Sequence, residues 1–176
     1  MPHVLAALCS RCARCRAALC TKPVIRPCRR RDLPAFCELL ARYFREDLHL
    51  PLTDEQAQEL AEDIYAEMRI GVPLELAFVN GEAVGFIDHQ TDHPASSWCF
   101  HEGWACIREL YVVPEHRSHG IARALIARAE AAARRTSAPV LYLTADDAIP
   151  FWEHLGFRRS GRINEKNGLE ELEKPL

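Results

Sequence analysis

The residues best suited to binding chemistry lie where a β-branched strand runs into a glycine and then a helix. This segment extends from Leu110 to Leu125 and contains the run Arg117-Ser-His-Gly120-Ile-Ala122. A helix that opens at Gly120 leaves several main-chain N–H groups without partners, and its macrodipole adds partial positive charge there. Glycine also lets the backbone approach a ligand closely, and Arg117 and Arg123 add flanking cations. The segment therefore predicts a site for a phosphate or pyrophosphate group.

The glycine pattern excludes two common nucleotide-binding loops. Neither the G-x-G-x-x-G of dinucleotide-binding folds nor the G-x-x-x-x-G-K-[ST] of the P-loop occurs. The motif R-x-x-G-x-A at residues 117–122 instead resembles the acetyl-CoA pyrophosphate loop of the GNAT family of N-acetyltransferases. Residues 148–157, AIPFWEHLGF, are similar to a second signature of that family, A-x-x-F-Y-x-x-L-G-F. The two motifs stand in the family's order and at its typical spacing; the alternative is a strand–helix unit of another α/β fold.

The resemblance implies both a fold and an activity for residues 23–176. The fold is α+β with a mixed sheet, the acyl-CoA N-acyltransferase fold of the GNAT family, in the order β-α-α-β-β-β-α-β-α-β-β. The activity is that of an N-acetyltransferase, which moves an acetyl group from acetyl-CoA, its co-substrate, to a primary amine of a small molecule or peptide. Residues 1–22 lie outside the match, and we expect them to be a disordered extension.

The resemblance also assigns residues to the cofactor. In the family, the strand before the phosphate loop pairs through its backbone with the pantetheine arm of CoA. That role carries over to Leu110, Tyr111, Val112 and Val113. The groups expected to hold the pyrophosphate are the Arg123 side chain and the main-chain donors of Arg117, Ser118, His119, Gly120, Ile121 and Ala122. For Ser118 and His119, a solvated loop position is the competing interpretation.

Acetylation of an amine requires a base that removes a proton from the ammonium group. Glu109, on the strand beside the expected thioester, is our candidate for this base, acting directly or through a water molecule. The alternative is that Glu109 forms an ion pair with Arg108. His89, His101 and Glu102 compete for the role, although histidines in such loops more often lie at the surface or serve as hydrogen-bond partners.

Position 152 departs from the family's pattern. Members often carry a tyrosine there that protonates the CoA sulfur, whereas this chain has Trp152, whose indole N–H is not acidic enough. Water or another residue must then protonate the thiolate, or catalysis is impaired. Tyr142 is a substitute by residue type, but its place in a strand favours packing. Trp152 itself is expected to contact the cofactor or to wall the acyl pocket.

The loop between Gln90 and Gly103 is expected to help choose the acceptor, because it is rich in aromatic, acidic and histidine side chains. The candidate acceptor residues are Trp98, His101, Glu102 and Trp104. Aromatic and acidic groups suit a small cationic amine, and a peptide N-terminus or a lysine remains open. The distribution of charge favours the same class, because residues 1–31 contain no acid and all 25 carboxylate side chains lie beyond them.

The chain has eight cysteines, in two groups. Cys28, Cys37, Cys99 and Cys106 are scattered through apolar segments, where we expect small buried hydrophobes. The others form a C-x2-C-x2-C-x4-C pattern: Cys9, Cys12, Cys15 and Cys20. This spacing is superficially typical of zinc or an iron–sulfur cluster, but glycine or proline turns and a supporting apolar pattern are missing, so we expect no metal.

Two other functions remain open beside the acetyltransferase. One is a catalytically degenerate protein that binds CoA without turnover, and the other is a metal- or redox-responsive protein that works through the cysteine pattern. No apolar run approaches the ~18 residues of a membrane span, and no secretion signal is found, so we expect a cytoplasmic protein. The basic first residues also resemble an organelle transit peptide. We expect neither nucleic acid nor membrane as a partner, and a homodimer is left open.

Hydrophobic spacing locates the helices that must position these groups. Asp32 is expected to cap a helix after a short strand at Val24–Arg26. The buried stripe of that helix consists of Leu33, Phe36, Leu40, Tyr43 and Phe44. Thr53 and Gln56 form a capping box for a second helix. Asp146 or Asp147 is expected to cap the short helix that carries Trp152.

Turn residues locate the strands. The pair Asn80-Gly81 predicts a type I′ hairpin between strands at 74–79 and 83–88. Further strands are expected at 106–113 and 140–144, with a helix at 120–136 between them. The pair Asn167-Gly168 predicts a final hairpin.

We predict that residues 1–22 are dispensable, because they lack the periodic apolar pattern needed to pack on a core. Their deletion should leave the melting temperature and the affinity for acetyl-CoA unchanged. A large loss of either quantity, or zinc or iron bound by the intact chain, would contradict this prediction.

Overall fold

The strands and helices follow the order predicted from the sequence. A computed structural model describes residues 22–96, 98–145 and 148–176. The elements are β1 (Val24–Pro27), α1 (Leu33–Glu46), α2 (Asp54–Glu67), β2 (Leu74–Val79), β3 (Glu82–Thr91), β4 (Ala105–Val112), α3 (Ile121–Arg135), β5 (Val140–Ala145), α4 (Ile149–His154), β6 (Arg158–Ile163) and β7 (Glu170–Pro175). The α+β fold with a mixed sheet is thereby confirmed. The cysteine pattern at residues 9–20 lies outside the described ranges.

One seven-stranded sheet runs in the order β1-β2-β3-β4-β5-β7-β6. Its neighbouring strands are antiparallel except for β4 and β5, which are parallel. Parallel neighbours need a crossover connection, and α3 supplies it. The parallel pair lies in the middle of the sheet, with three strands on one side of β4 and two beyond β5.

The helices α1 and α3 cover opposite faces of the sheet. On one face, Phe36 of α1 meets Phe86 of β3 edge to face, with ring centroids 5.1 Å apart. On the other face, Thr91 of β3 bonds the hydroxyl of Thr136, just after α3, at 2.9 Å. Positions 86 and 91 have opposite parity along β3, so their side chains point to opposite faces. The apolar stripe of α3, including Leu125, is buried against the sheet.

The helix starts confirm one predicted cap and correct another. Thr53 and Gln56 form the predicted capping box, with the Gln56 amide donating to Thr53 Oγ1 at 3.2 Å. Asp32 precedes α1, but its carboxylate does not cap that helix. It instead accepts hydrogen bonds from the Arg29 amide at 2.9 Å and from the Arg26 guanidinium at 2.6 and 2.9 Å. The reason is a short 3-10 turn at Arg30–Asp32, which the carboxylate closes from behind.

The hairpin at Asn80-Gly81 is confirmed, with positive φ angles of 53° and 85° at its two central residues. The final hairpin between β6 and β7 is also present, with Gly168 at a φ of 73°. The residue directly before α4 is Ala148. Asp146 and Asp147, the predicted caps, lie outside the described residues.

Burial of the cysteines agrees with the prediction only in part. Cys28 and Cys106 are buried, whereas Cys37 and Cys99 are half-buried, so the prediction was wrong for those two. Each sits at the rim of its element: Cys37 on the outer side of α1 and Cys99 in the loop after β3. All four are free thiols. Among the described residues, no helix is both long enough and apolar enough to cross a membrane.

Candidate active site

Strands β4 and β5 are hydrogen-bonded at one end only. Their pairing is limited to Ala105 opposite Leu141 and Cys106 opposite Tyr142, although both strands continue beyond these residues. A one-residue bulge in β4 lies where the pairing stops. Ile107 pairs with His89 and Glu109 with Asp88, so that Arg108 has no counterpart on β3. A bulge bends its strand and increases the local twist, which turns the rest of β4 away from β5.

The edge of β4 that faces this opening carries free main-chain groups. The Val113 amide donates to Val84 O at 3.0 Å, which directs Val113 toward β3. Because main-chain groups alternate in an antiparallel ladder, those of Tyr111 also point to β3, while those of Leu110 and Val112 point into the opening. Of the four residues predicted to pair with pantetheine, the structure therefore brings two to the opening. The other two serve the ladder with β3.

At the far end of β4, the predicted phosphate turn leads into α3. Ser118 and Gly120 both have positive φ angles, of 64° and 79°. The Ala124 amide donates to Gly120 O at 3.0 Å, which closes the first turn of the helix. The N–H groups of residues 120–123 precede that bond and therefore lack intrahelical acceptors. They form the array of donors that the sequence predicts, at the mouth of the opening.

Of the two predicted cations, the structure directs only Arg123 outward. Arg123 is exposed at the start of α3. The Arg117 guanidinium instead donates to both carboxylate oxygens of Asp47, at 2.8 and 2.9 Å, and its Nε donates to Val112 O at 2.8 Å. It also lies 5.6 Å from the centre of the Tyr111 ring. Arg117 thus fastens the turn to the C-terminal end of α1.

Glu109 lies on the sheet face covered by α1, directly after the bulge. Tyr43 of α1 donates its hydroxyl hydrogen bond to Glu109 Oε2 at 2.5 Å. Burial raises the pKa of Glu109, and the bond from Tyr43 partly offsets that rise. The ion pairs that Arg108 forms in the structure are with Glu67 and, at 3.7 Å, with Asp88, rather than with Glu109. A carboxylate with a raised pKa is suited to accept a proton near neutral pH.

The competing bases have different surroundings. His89 is buried on the opposite face of the sheet, beneath α3, where desolvation lowers its pKa to about 4. Such an imidazole stays neutral and is a weak base. His101 accepts or donates a hydrogen bond at 2.9 Å with Glu171 Oε2 on β7, and Glu102 is exposed. The structure does not bring these three residues to the face that holds Glu109.

The predicted acceptor residues lie in one aromatic loop, residues 92–104, which packs against the hairpin of β6 and β7. The His101 ring stacks at 4.5 Å on Trp104, and Trp98 meets Phe100 edge to face at 5.2 Å. Cations of the hairpin cover these rings. Lys166 lies 5.3 Å from the centre of Trp98, and Arg162 lies 5.7 Å from that of Trp104.

Asp92 fixes this loop and was not singled out in the sequence. Its buried carboxylate accepts hydrogen bonds from the amides of Phe100 and His101, at 2.9 and 3.0 Å, and from the Tyr142 hydroxyl at 2.6 Å. The position of an aspartate at the end of a strand was the one available signal. Tyr43 was recognised only as part of an apolar stripe, since nothing in the sequence indicates that its hydroxyl reaches β4.

Trp152 and Tyr142 are both committed to packing. The Trp152 side chain is 9% exposed and meets the rings of Phe151 and Phe157 edge to face, at 5.0 and 5.4 Å. The Tyr142 hydroxyl is bound to Asp92, and burial raises the pKa of Tyr142. A phenol whose pKa is raised is a poor proton donor at neutral pH. Neither residue is placed to supply an acidic proton.

Comparison with known proteins places this geometry in a family. The model of the acetyltransferase (GNAT) family matches residues 33–157. A search of curated proteins gave no match. Solved structures show the same fold. PaiA N-acetyltransferase from Thermoplasma acidophilum, in complex with coenzyme A, is 16% identical with a TM-score of 0.65, over 89% of this chain and 100% of that one.

Two further solved structures agree. Ribosomal-protein-alanine N-acetyltransferase from Brucella melitensis is 24% identical with a TM-score of 0.66, over 87% of this chain and 99% of that one. A GNAT-family acetyltransferase from Staphylococcus aureus Mu50 is 17% identical with a TM-score of 0.70, over 88% and 99%. Because the family model spans most of the described domain and the fold agrees, the chain belongs to the GNAT family of N-acetyltransferases.

Proposed function

We propose that this protein transfers an acetyl group from acetyl-CoA to a primary amine of a small molecule or peptide. The observation that carries the proposal is the opening between β4 and β5, which extends from the bulge at Arg108 to the N–H array at the start of α3. One end holds the candidate base, Glu109. The other end offers main-chain donors suited to phosphate.

The residues present fit coenzyme A. The N–H groups of residues 120–123 and the exposed Arg123 side chain would hold the pyrophosphate. Leu110 and Val112 offer main-chain groups along the opening, so an extended pantetheine arm could add to β4 as a further strand does. Val112 O already accepts a hydrogen bond from Arg117, which leaves Leu110 as the freer partner. The complex of the Thermoplasma protein with coenzyme A supports the same assignment.

Acetyl transfer forms a C–N bond between the amine and the acetyl carbon and breaks the C–S bond of the thioester. The amine is protonated in solution and must lose a proton before its lone pair can attack. Glu109 would take that proton, because its carboxylate is ionised with the help of Tyr43 and its pKa is raised toward neutrality. The thiolate that departs takes up one proton, so charge balances overall.

The source of that last proton distinguishes this chain from the family pattern. Trp152 has no acidic proton, and the Tyr142 hydroxyl is bound to Asp92. We assign the protonation of the thiolate to solvent. Binding of CoA without turnover is the second candidate function, and the tryptophan at position 152 is the observation that favours it.

For the acceptor, we favour a small cationic amine over a peptide. The faces of Trp98 and Trp104 are already covered by Lys166 and Arg162, so those rings are not free to hold a cation from the substrate. The carboxylates of Glu102 and Glu109 remain as partners for an ammonium group. A reducing compartment such as the cytoplasm suits the free thiols of Cys28 and Cys106.

Release of the CoA thiol during incubation with acetyl-CoA and a panel of amines tests the proposal. Diamines, amino acid amides and peptides with a free N-terminus should be compared with alcohols of the same size. Thiol release that depends on the amine supports transfer. Saturable binding of acetyl-CoA without any amine-dependent release would instead establish the second candidate function.

We predict that Gly120→Val abolishes stabilisation of the fold by acetyl-CoA. The φ angle of 79° is strained for any β-branched residue, and an added side chain would project into space with no protein atom within 4 Å, where a phosphate would lie. Wild-type protein should gain thermal stability with acetyl-CoA through mass action. Gly120→Asn, which tolerates this φ angle, serves as the control for backbone strain. An equal thermal shift in Gly120→Val would show that the turn does not bind the phosphates.

We predict that Glu109→Gln lowers turnover at neutral pH by roughly 10²–10⁴-fold, the usual contribution of a general base, while acetyl-CoA binding survives. The loss should shrink at high pH, where the amine is already partly deprotonated. Tyr43→Phe is the matched variant. It removes the bond that lowers the pKa of Glu109, so activity should fall at a higher pH than in the wild type as the solution is acidified. Near-normal turnover of Glu109→Gln would move the role to His89, Glu102 or solvent.

A further inference from the structure

Two buried aspartates on one strand differ completely in their hydrogen bonding. Asp92, directly after β3, is 2% exposed, and Asp88, within β3, is 1% exposed. The Asp92 carboxylate receives four donors, counting Gln90 Nε2 at 2.8 Å with the two amides and the Tyr142 hydroxyl described above. Within the described part of the chain, neither carboxylate oxygen of Asp88 has a hydrogen-bond partner.

The charged neighbours of Asp88 come from every element packed around it. Glu109 is its direct partner in the ladder between β3 and β4, on the same face of the sheet. Arg108 Nε lies 3.7 Å from Asp88 Oδ2, too far for a hydrogen bond. The same guanidinium reaches Glu67 of α2 through Nη1. From α1, Tyr43 contributes a hydroxyl, which it gives to Glu109.

These groups do not balance in charge. Three carboxyls, those of Glu67, Asp88 and Glu109, surround the single guanidinium of Arg108. An unpaired charge that is cut off from water is costly, and the cost falls when a buried carboxyl binds a proton. The bond from Tyr43 favours the ionised form of Glu109. Asp88 lacks any donor of this kind, so a proton bound by the cluster lies there.

We propose that Asp88 holds a proton at neutral pH and acts as a positioning residue for Glu109, so that the pair carries one negative charge, located on Glu109. The catalytic half of this inference rests on the proposed function, whereas the bound proton does not. Burial raises the pKa of Asp88 to about 7; the charges of Glu109 and Glu67 add to the rise, and Arg108 opposes it. Ionisation of Asp88 above that pH would place a second charge beside Glu109 and make Glu109 a stronger base.

The bound proton has a consequence for stability whose sign is fixed. A carboxyl whose pKa is higher in the folded state stabilises the fold fully below its unfolded pKa, and the stabilisation is lost as pH rises through the folded pKa. For Asp88 this loss extends from about pH 4 to about pH 7. An asparagine has nearly the same shape and never ionises, so Asp88→Asn should not suffer the loss.

The test compares Asp88→Asn with the matched variant Asp92→Asn in urea unfolding between pH 4 and pH 8.5. We expect Asp88→Asn to be close to wild type at pH 4 and more stable at pH 8, by roughly tenfold or more in the unfolding constant, for a shift of one pKa unit or more. Asp92→Asn should be less stable than wild type at pH 8, because four donors lose their carboxylate. Destabilisation of both variants at pH 8 would show that Asp88 is an ionised partner of Arg108 and would overturn the proposal.

Infrared difference spectra provide a direct readout that does not depend on activity. At pH 6 the wild type should show the carbonyl stretch of a protonated carboxyl, and this band should be absent from Asp88→Asn. If both proteins share the band, or neither has it, the proton does not lie on Asp88. This measurement and the unfolding curves need no substrate, so a wild-type protein without turnover would contradict the proposed function alone.

The catalytic half is tested by the pH profile of kcat/KM. For the wild type we expect a rise in two steps, the second near pH 7 as Asp88 ionises beside Glu109. In Asp88→Asn the second step should be absent. A profile with the same steps in both proteins would show that Asp88 does not act on Glu109.

Discussion

The single unmatched residue at Arg108 is the constraint on which the site depends. In an antiparallel ladder, each main-chain group of one strand is consumed by its neighbour, so a complete sheet has no edge inside it. The bulge bends β4 after Ile107 and ends its pairing with β5 at Cys106. An edge of β4 is thereby exposed in the middle of the sheet, flanked by strands that keep it rigid. The same bulge sets the side chain of Arg108 among the carboxyls beside it.

Chemistry on the two sheet faces is divided by the parity of β3. Asp88 points to the face covered by α1 and α2, and His89, its neighbour, points to the face covered by α3. Two titratable groups adjacent in sequence are therefore buried in separate environments. Burial acts on them in opposite directions, because it raises the pKa of an acid and lowers that of an imidazole. Both are neutral for the same physical reason.

Local signals in the sequence were sufficient for the elements but not for the side-chain network. The capping box at Thr53, the hairpin at Asn80-Gly81 and the glycine that opens α3 each depend on neighbouring residues, and all three could be predicted. The pairing of Tyr43 with Glu109 joins residues 66 positions apart, and no periodicity encodes it. Asp32 failed as a helix cap because a preceding 3-10 turn took its carboxylate. The guanidinium of Arg117 has the expected position, yet Asp47, from a distant helix, decides its direction.

The contact between Arg117 and Asp47 joins the segment that leads from α1 to α2 to the turn that precedes α3. These are the walls of the opening at its phosphate end and on its α1 side. A bidentate ion pair resists rotation as well as separation, so the two walls move as one body. Thermodynamic reciprocity then applies: whatever restrains the turn restrains the start of the segment after α1 by the same free energy, and the converse holds. Order of substrate addition would be written into this single pair of side chains.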